Sequence, residues 1–267
     1  IAEPGKPALE RHSIVIEDGR VKSIEPGFVA GERVIDLADR WVLPGLIDMH
    51  THVTIAMDIG GSAPLADFLP GFLGRPAARA FASLARAQAV LRTGFTTIRN
   101  LGDPGSVTYD LRNAIDAGIV DGPRIVASEP QFEVAGGDYE PFNFGVRPDV
   151  EPLLRGRGTC SGVPDCERVT REEIRRGAGV VKLRLSAFPL LDPKAGPSET
   201  RAELQAIVDT AHRLHRRVAA HSAGSAAANQ LAIDAGADTI EHGPLDDANI
   251  AAMAKRGTAL TATLLAA

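Results

Sequence analysis

Cysteine is nearly missing: the 267 residues contain two, Cys160 and Cys166, which excludes a disulfide framework and an all-cysteine zinc site. Both read as free thiols, since neither has an evident base beside it. Aromatic residues are scarce, at 4%, so the core must be built from aliphatic side chains. Positive charge is in deficit: 29 Lys and Arg against 34 Asp and Glu give a formal net charge of −5, with no basic block, and no nucleic-acid partner is expected. No apolar run is long enough to span a bilayer, so no membrane partner is expected either. The chain opens on Ile1 rather than methionine, so a natural start, with any signal peptide on it, is expected upstream, and the cytoplasm is the default location. What is there, 44% hydrophobic and 24% charged residues, suits a folded protein with one large core.

The first forty residues read as a small β element, with extended pieces at Ser13 to Glu17 and Val21 to Ile24 around the turn signal Asp18-Gly19. From Trp41 the pattern becomes strand, loop, helix, repeated. The helix near Arg79 to Thr93 places Phe81, Leu84, Gln88 and Leu91 on one stripe and stops at Gly94, ahead of a strand at Phe95 to Arg99. Helices ending at Gly118 and Gly177 feed strands at Arg124 to Ala127 and Val180 to Ser186. Thr200 with Glu203 forms a capping box for a helix whose Leu204, Ile207, Val208, Ala211 and Leu214 share a face. Strands at Val218 to Ser222, Asp238 to His242 and Ala259 to Leu265 follow, the last after a helix capped by Asp246 or Asp247. With the stretch Leu46 to Val53, seven strands alternate with helices.

Such alternation implies a parallel sheet, and the number favours a TIM-like (β/α)8 barrel over a doubly wound sheet. The expected architecture is therefore α/β: residues 1–40 as a small β element, and 41–267 as a barrel incomplete after strand seven, its eighth βα unit missing. The loop from Ser128 to Pro164 is long enough to be a substrate lid or an irregular insertion.

Four histidines carry the chemistry. His50 and His52 sit two apart on the first barrel strand, so both imidazoles point the same way. Alone, the pair reads equally as polar residues at a strand end. However, His221 ends the fifth strand and His242 the sixth, at the C-terminal mouth where barrel enzymes assemble their sites, and imidazoles clustered there point to a metal. Lys182 lies mid-strand with Arg184, facing away from the apolar Val181, Leu183 and Leu185. A buried ammonium there is either ion-paired or becomes a neutral amine able to add carbon dioxide as a carbamate. Arg184 is a candidate contact for a substrate carboxylate, with a salt bridge as the plainer role; Tyr139 and Phe142 in the long loop are candidate substrate contacts, with surface packing as the default reading, and Asp138 is a further candidate there. His212 and His215 read as solvated helix residues, and Glu241, expected to point opposite His242, as a partner among the outer helices.

The stretch Val42 to His52, then Gly94-Phe95-Thr96-Thr97-Ile98-Arg99, Lys182, Ala220-His221-Ser222 and Ala235 to Gly243, resembles the amidohydrolase superfamily, in its branch of imidazolonepropionase-like proteins and metal-dependent Xaa-Pro dipeptidases. The resemblance implies that His50, His52, carbamylated Lys182, His221 and His242 hold one or two divalent cations, commonly zinc. It implies hydrolysis of a C–N bond in a small amide, dipeptide or cyclic amide by metal-activated hydroxide. It also implies a distorted TIM-like (β/α)8 barrel with residues 1–40 as part of a small N-terminal β-sandwich, and a homo-oligomer is compatible with it. The resemblance also expects an aspartate on an eighth strand, and the sequence stops short of that position. The catalytic acid–base residue is thus unassigned, and a non-catalytic metal-binding barrel fragment or pseudoenzyme is the alternative. Asp138 stands after Gly136-Gly137 where relatives often carry histidine, and Ser186 to Pro189 is bulkier than usual, so a shifted substrate preference is expected.

Overall fold

The computed structural model describes the whole chain except residues 2–4, 38, 56–73, 104, 106, 138–146, 155, 186–197, 222–225, 244 and 265–267. It divides into two compact units, Ile1–Leu46 and Ile47–Ala267. In the first, β1 (His12–Glu17) and β2 (Arg20–Pro26) form an antiparallel hairpin. Its turn residues Asp18 and Gly19 both have positive φ, 50° and 70°, the twist a two-residue hairpin loop requires.

The second unit alternates strand and helix. In chain order it runs β3 (Leu46–Thr51), α1 (Pro76–Arg92), β4 (Phe95–Leu101), α2 (Val107–Asp116), β5 (Arg124–Ser128), β6 (Gln131–Val134), α3 (Glu151–Leu154) and β7 (Thr159–Cys160). There follow α4 (Val163–Arg176), β8 (Val180–Arg184), α5 (Arg201–Arg213), β9 (Arg217–His221), α6 (Ala226–Ala235), β10 (Thr239–Glu241), α7 (Asp247–Arg256) and β11 (Ala259–Thr261). Among the described residues the strands of this unit pair into two sheets, β3-β4-β5 and β11-β10-β9-β8-β6-β7. The ladders joining β8 to β9, β9 to β10 and β10 to β11 are parallel, as is that of β4 with β5. Two hydrogen bonds link the sheets where they meet: Gly179 N–H donates to Ala127 O at 2.8 Å, and Lys182 N–H to Ser128 Oγ at 3.2 Å.

The long Ser128 to Pro164 segment is not simply a lid or an irregular insertion, since β6 and β7 enter the larger sheet from it. Phe132 and Val134 alternate inward on β6 and are buried, which ties that strand to the core. Gly158 then lets the chain return tightly, because a Cβ there would stand 2.1 Å from Gln131 O.

The cysteines also differ from expectation. Cys160, at the end of β7, and Cys166, in the first turn of α4, form a disulfide with their Cα atoms 4.9 Å apart. The tight passage through Ser161-Gly162, fixed by Gly162 N–H donating to Glu203 Oε1 at 2.8 Å, brings the two together.

The main core lies between the larger sheet and its helices: Val181, Leu183, Val218, Ala220 and Ile240 pack against Val169, Leu204, Ile207 and Ile233. The opposite face of the same strands carries Lys182 and Arg184, both buried. Apolar packing on the helix side therefore leaves the polar side chains of β8 to β10 no direction but inward. The capping box at Thr200 and Glu203 forms as expected, and Asp246 caps α7.

Candidate functional site

His50 and His52, two apart on and just beyond β3, turn their rings to the same side, with Nε2 atoms 3.2 Å apart. The His242 ring lies 4.5 Å from that of His50, centroid to centroid, and 4.8 Å from that of His221. A chain of four imidazoles thus runs His52, His50, His242, His221, contributed by β3, β9 and the residue after β10. Register explains the gathering. Glu241 pairs with His221 and Arg184 with His221 across neighbouring strands, so the ends of β8, β9 and β10 lie level.

Burial is the largest influence on three of the four rings. It lowers His50 to about 4, although the Glu241 hydrogen bond works against it, and His242 to about 3, with the nearby His50 and Lys182 charges adding to the effect. His221 is held well below its ordinary value by burial, then by Arg184 and Lys182. At neutral pH these imidazoles are uncharged, each with one bare ring nitrogen, the form in which histidine binds metal.

Lys182 is 1% exposed and its Nζ has no hydrogen-bond partner. Burial lowers it to about 7, against the pull of Glu241 and with help from Arg184 and Arg99. Such an amine is part neutral at physiological pH and nucleophilic.

Two buried carboxylates back the paired histidines. His50 Nδ1–H donates to Glu241 Oε2 at 2.9 Å, and His52 Nδ1–H to Asp103 Oδ1 at 3.0 Å. Arg99 donates to Glu241 Oε1 at 2.6 Å. Burial works to raise Glu241, but His50, Arg99 and the Thr239 hydroxyl together bring it to about 2. Asp103 is likewise lowered in spite of burial, by His52, Asn100 and Thr54.

Among the described residues no group of three or more His, Cys, Asp or Glu side chains is drawn together tightly enough to hold a metal ion as it stands. The donors nevertheless fit one. Two nitrogens sharing a tetrahedral zinc at about 2.0–2.1 Å stand about 3.3 Å apart, close to the 3.2 Å between His50 and His52, and the unpartnered buried amine of Lys182 sits on β8 next to the strand that ends in His221.

The amidohydrolase family model matches residues 41–267. The chain belongs to the amidohydrolase family. It is 33% identical over 260 residues to an uncharacterised protein of Mycobacterium tuberculosis, covering 94% of this chain and 56% of that one. It is 30% identical over 217 residues to the ochratoxinase of Aspergillus niger, covering 75% and 43% respectively. A crystal structure of a Xaa-Pro dipeptidase with methionine in its active site is similar at a TM-score of 0.76 and 31% identity, over 93% of this chain and 61% of that one. The chain spans about half the length of the curated relatives it matches.

Of the residues singled out from sequence, the structure brings His50, His52, His221 and His242 together. Lys182 lies on the same strand as Arg184, two residues before it, and Arg184 is the register partner of His221. Arg184 is buried beyond Lys182 and donates to Gln131 Oε1 at 3.3 Å. Asp138, Tyr139 and Phe142 lie outside the described residues. Glu241 does not pair among the outer helices. It is fully buried against His50 and Arg99: Ile240 packs against the helices, so alternation turns Glu241 to the inward face, and His242, at φ 74°, leaves the extended conformation and comes to the same side.

Sequence reasoning assigned no role to Arg99, Asn100 or Asp103. The available signal was a guanidinium and an amide inside the apolar pattern of β4, both buried.

A second cluster of ionisable groups was also not foreseen. A cavity of about 220 Å³ is lined by Tyr109, Asp110, Asn113, Glu129, Arg157 and Arg176, and shares no residue with the histidines. Burial pushes Glu129 up to about 7 there. Its oxygens already accept from Tyr109 N–H at 2.9 Å and Arg157 at 3.2 Å, so the cluster satisfies itself and reads as structural.

Proposed function

We propose that the chain is the metal-binding part of a hydrolase that cleaves a C–N bond in a small amide, dipeptide or cyclic amide. In this reading the two sheets are arcs of a distorted TIM-like barrel, and residues 1–40 are part of a β-sandwich. His50, His52, His221 and His242 would hold one or two divalent cations, zinc first among them, with Lys182 as the fifth ligand. The observation that carries the reading is the 3.2 Å approach of His50 Nε2 to His52 Nε2 beside further neutral imidazoles. Membership of the amidohydrolase family supports it, and the Xaa-Pro dipeptidase relative suggests peptide-like substrates.

When bound, a divalent cation supplies Lewis acidity that polarises a carbonyl and makes water acidic near neutral pH. The protein's own part begins at Lys182. Its neutral Nζ attacks carbon dioxide, forming an N–C bond and releasing one proton, which gives an anionic carbamate where no hydrogen-bond partner now stands. Arg184, on the same face of β8, would meet a substrate carboxylate by charge-assisted hydrogen bonds. Asp138 and Tyr139 are the proposed contacts from the loop after Gly136-Gly137. No residue of this chain is assigned as the catalytic acid–base group.

Zinc titration of the metal-free chain tests the proposal, paired with hydrolysis of a panel of amides and Xaa-Pro dipeptides. Stoichiometric uptake that disappears in His50→Ala/His52→Ala is expected. A wild-type chain that takes up no zinc overturns the reading, and uptake with no hydrolysis returns the non-catalytic fragment.

A further inference from the structure

The two paired histidines are each backed by a carboxylate, and each carboxylate is held in turn by a buried polar side chain of β4, Arg99 or Asn100. Glu241 is fully buried and Asp103 is 1% exposed. Burying a carboxylate is costly unless it is paired and fully hydrogen-bonded. Glu241 receives His50 Nδ1–H, Arg99 at 2.6 Å and the Thr239 hydroxyl at 2.5 Å. Asp103 receives His52 Nδ1–H on one oxygen; on the other it receives Asn100 Nδ2 at 2.6 Å, Thr54 N–H at 3.2 Å and the Thr108 hydroxyl at 3.3 Å.

A carboxylate so held can only accept. A neutral imidazole that donates through Nδ1 has no proton on Nε2, so the bare lone pairs of His50 and His52 face each other across 3.2 Å. Two acceptors at that distance repel, and the arrangement is unfavourable until a cation is shared between them.

We propose that Glu241 and Asp103 are positioning residues that fix the tautomer and ring orientation of His50 and His52, with Arg99 and Asn100 holding the two carboxylates in place. The assignment rests on the metal-centre reading above and deepens it. It also gives β4 a role. That strand supplies none of the candidate ligands, yet Arg99 and Asn100 lie on it and Asp103 follows two residues after its end. The turn at His242 has the same purpose: its φ of 74° lets Glu241 and His242, adjacent in sequence, both reach His50.

Nitrogen-15 NMR of the metal-free wild-type chain at pH 8 tests the tautomers directly, with ring signals assigned by their loss in His50→Ala and His52→Ala. Nδ1–H on both rings is expected, and Nε2–H on either overturns the proposal. Zinc affinity, read by competition with a chromophoric chelator, should fall about 10- to 100-fold in Glu241→Gln and in Asp103→Asn. His212→Ala, which removes the exposed pair of His212 with Asp238, should leave it unchanged. Zinc binding at wild-type affinity in both carboxylate variants overturns the positioning role, whereas no uptake by the wild type overturns the metal reading itself. Should Glu241→Gln fail to fold because Arg99 loses its counter-charge, Asp103→Asn and the wild-type spectrum still decide.

Discussion

Lys182 shows how one residue can cost stability and still be retained. Its ammonium form has been taken out of water, its Nζ meets no acceptor, and the two guanidinium groups of Arg184 and Arg99 act against its charge. Only Glu241 favours the charged form, and that carboxylate is already engaged by Arg99 and His50. Replacing such a group by an apolar side chain of similar length is often neutral or stabilising. Lys182→Met is therefore expected to raise the urea stability of the metal-free chain by about 1 kcal/mol or more, while zinc affinity falls. A variant that loses both stability and metal together would show that the amine is instead part of a satisfied network. His242 makes a related point, since a non-glycine residue at positive φ costs of order 1–3 kcal/mol and is kept where two adjacent side chains are both needed on one imidazole.

At the scale of elements, the tightest constraint is the return of the chain along β6. A Cβ on Gly158 would lie 2.1 Å from Gln131 O and 2.8 Å from Gln131 C, backbone that cannot yield without moving the strand. Gly158→Ala should lower stability by about 1–3 kcal/mol or more, measured by urea unfolding, with a larger effect than the same change at Gly156, where a Cβ would meet nothing nearer than 3.9 Å. That strand also marks the limit of what could be read from sequence. The seven strands expected from alternation and from helix-stopping glycines correspond to β3, β4, β5, β8, β9, β10 and β11, because local signals of period and capping decide such elements. β6 and β7 went unrecognised. They are four and two residues long, and their pairing depends on distant partners that carry no local signature. The same holds for α1, where Phe81 is 73% exposed and Ser83 and Ala87 face the core instead. A helix of small residues offers no strong stripe, and packing sets its rotation. At the site, the approach of the histidines follows from strand ends that lie level. Glu241 was misjudged because alternation was run from His242, whereas it runs from Ile240, which faces the helices, and the turn at His242 takes that residue out of the pattern.

Over the whole molecule, the buried ionisable groups of the site all push stability in the same direction with pH. His50 and His242 have folded values of about 4 and about 3 against an ordinary 6.5, so as pH falls below 6.5 the unfolded chain takes up protons the folded chain refuses. Glu241, at about 2 against 4.5, contributes stability that is whole above 4.5 and is lost as pH falls toward 2. Lys182, at about 7 against 10.5, is bare in the folded chain and protonated in the unfolded one between those values, so stability rises with pH across that window too. At about 1.36 kcal/mol per unit, the His50 shift alone corresponds to about 3 kcal/mol lost on full acidification. The metal-free chain should therefore lose urea stability steadily from pH 8 to pH 4. The rise from pH 7 to pH 10 should flatten in Lys182→Met, since that variant removes the group responsible for it. Zinc should raise stability most at and above neutral pH, where the imidazoles are free of protons, and its effect should fade toward pH 5 as protons compete for the same lone pairs. Metal-free stability that is flat from pH 8 to pH 4 would mean that the imidazoles titrate alike in the folded and unfolded chains, and a cluster of exposed histidines would then replace the buried one described here.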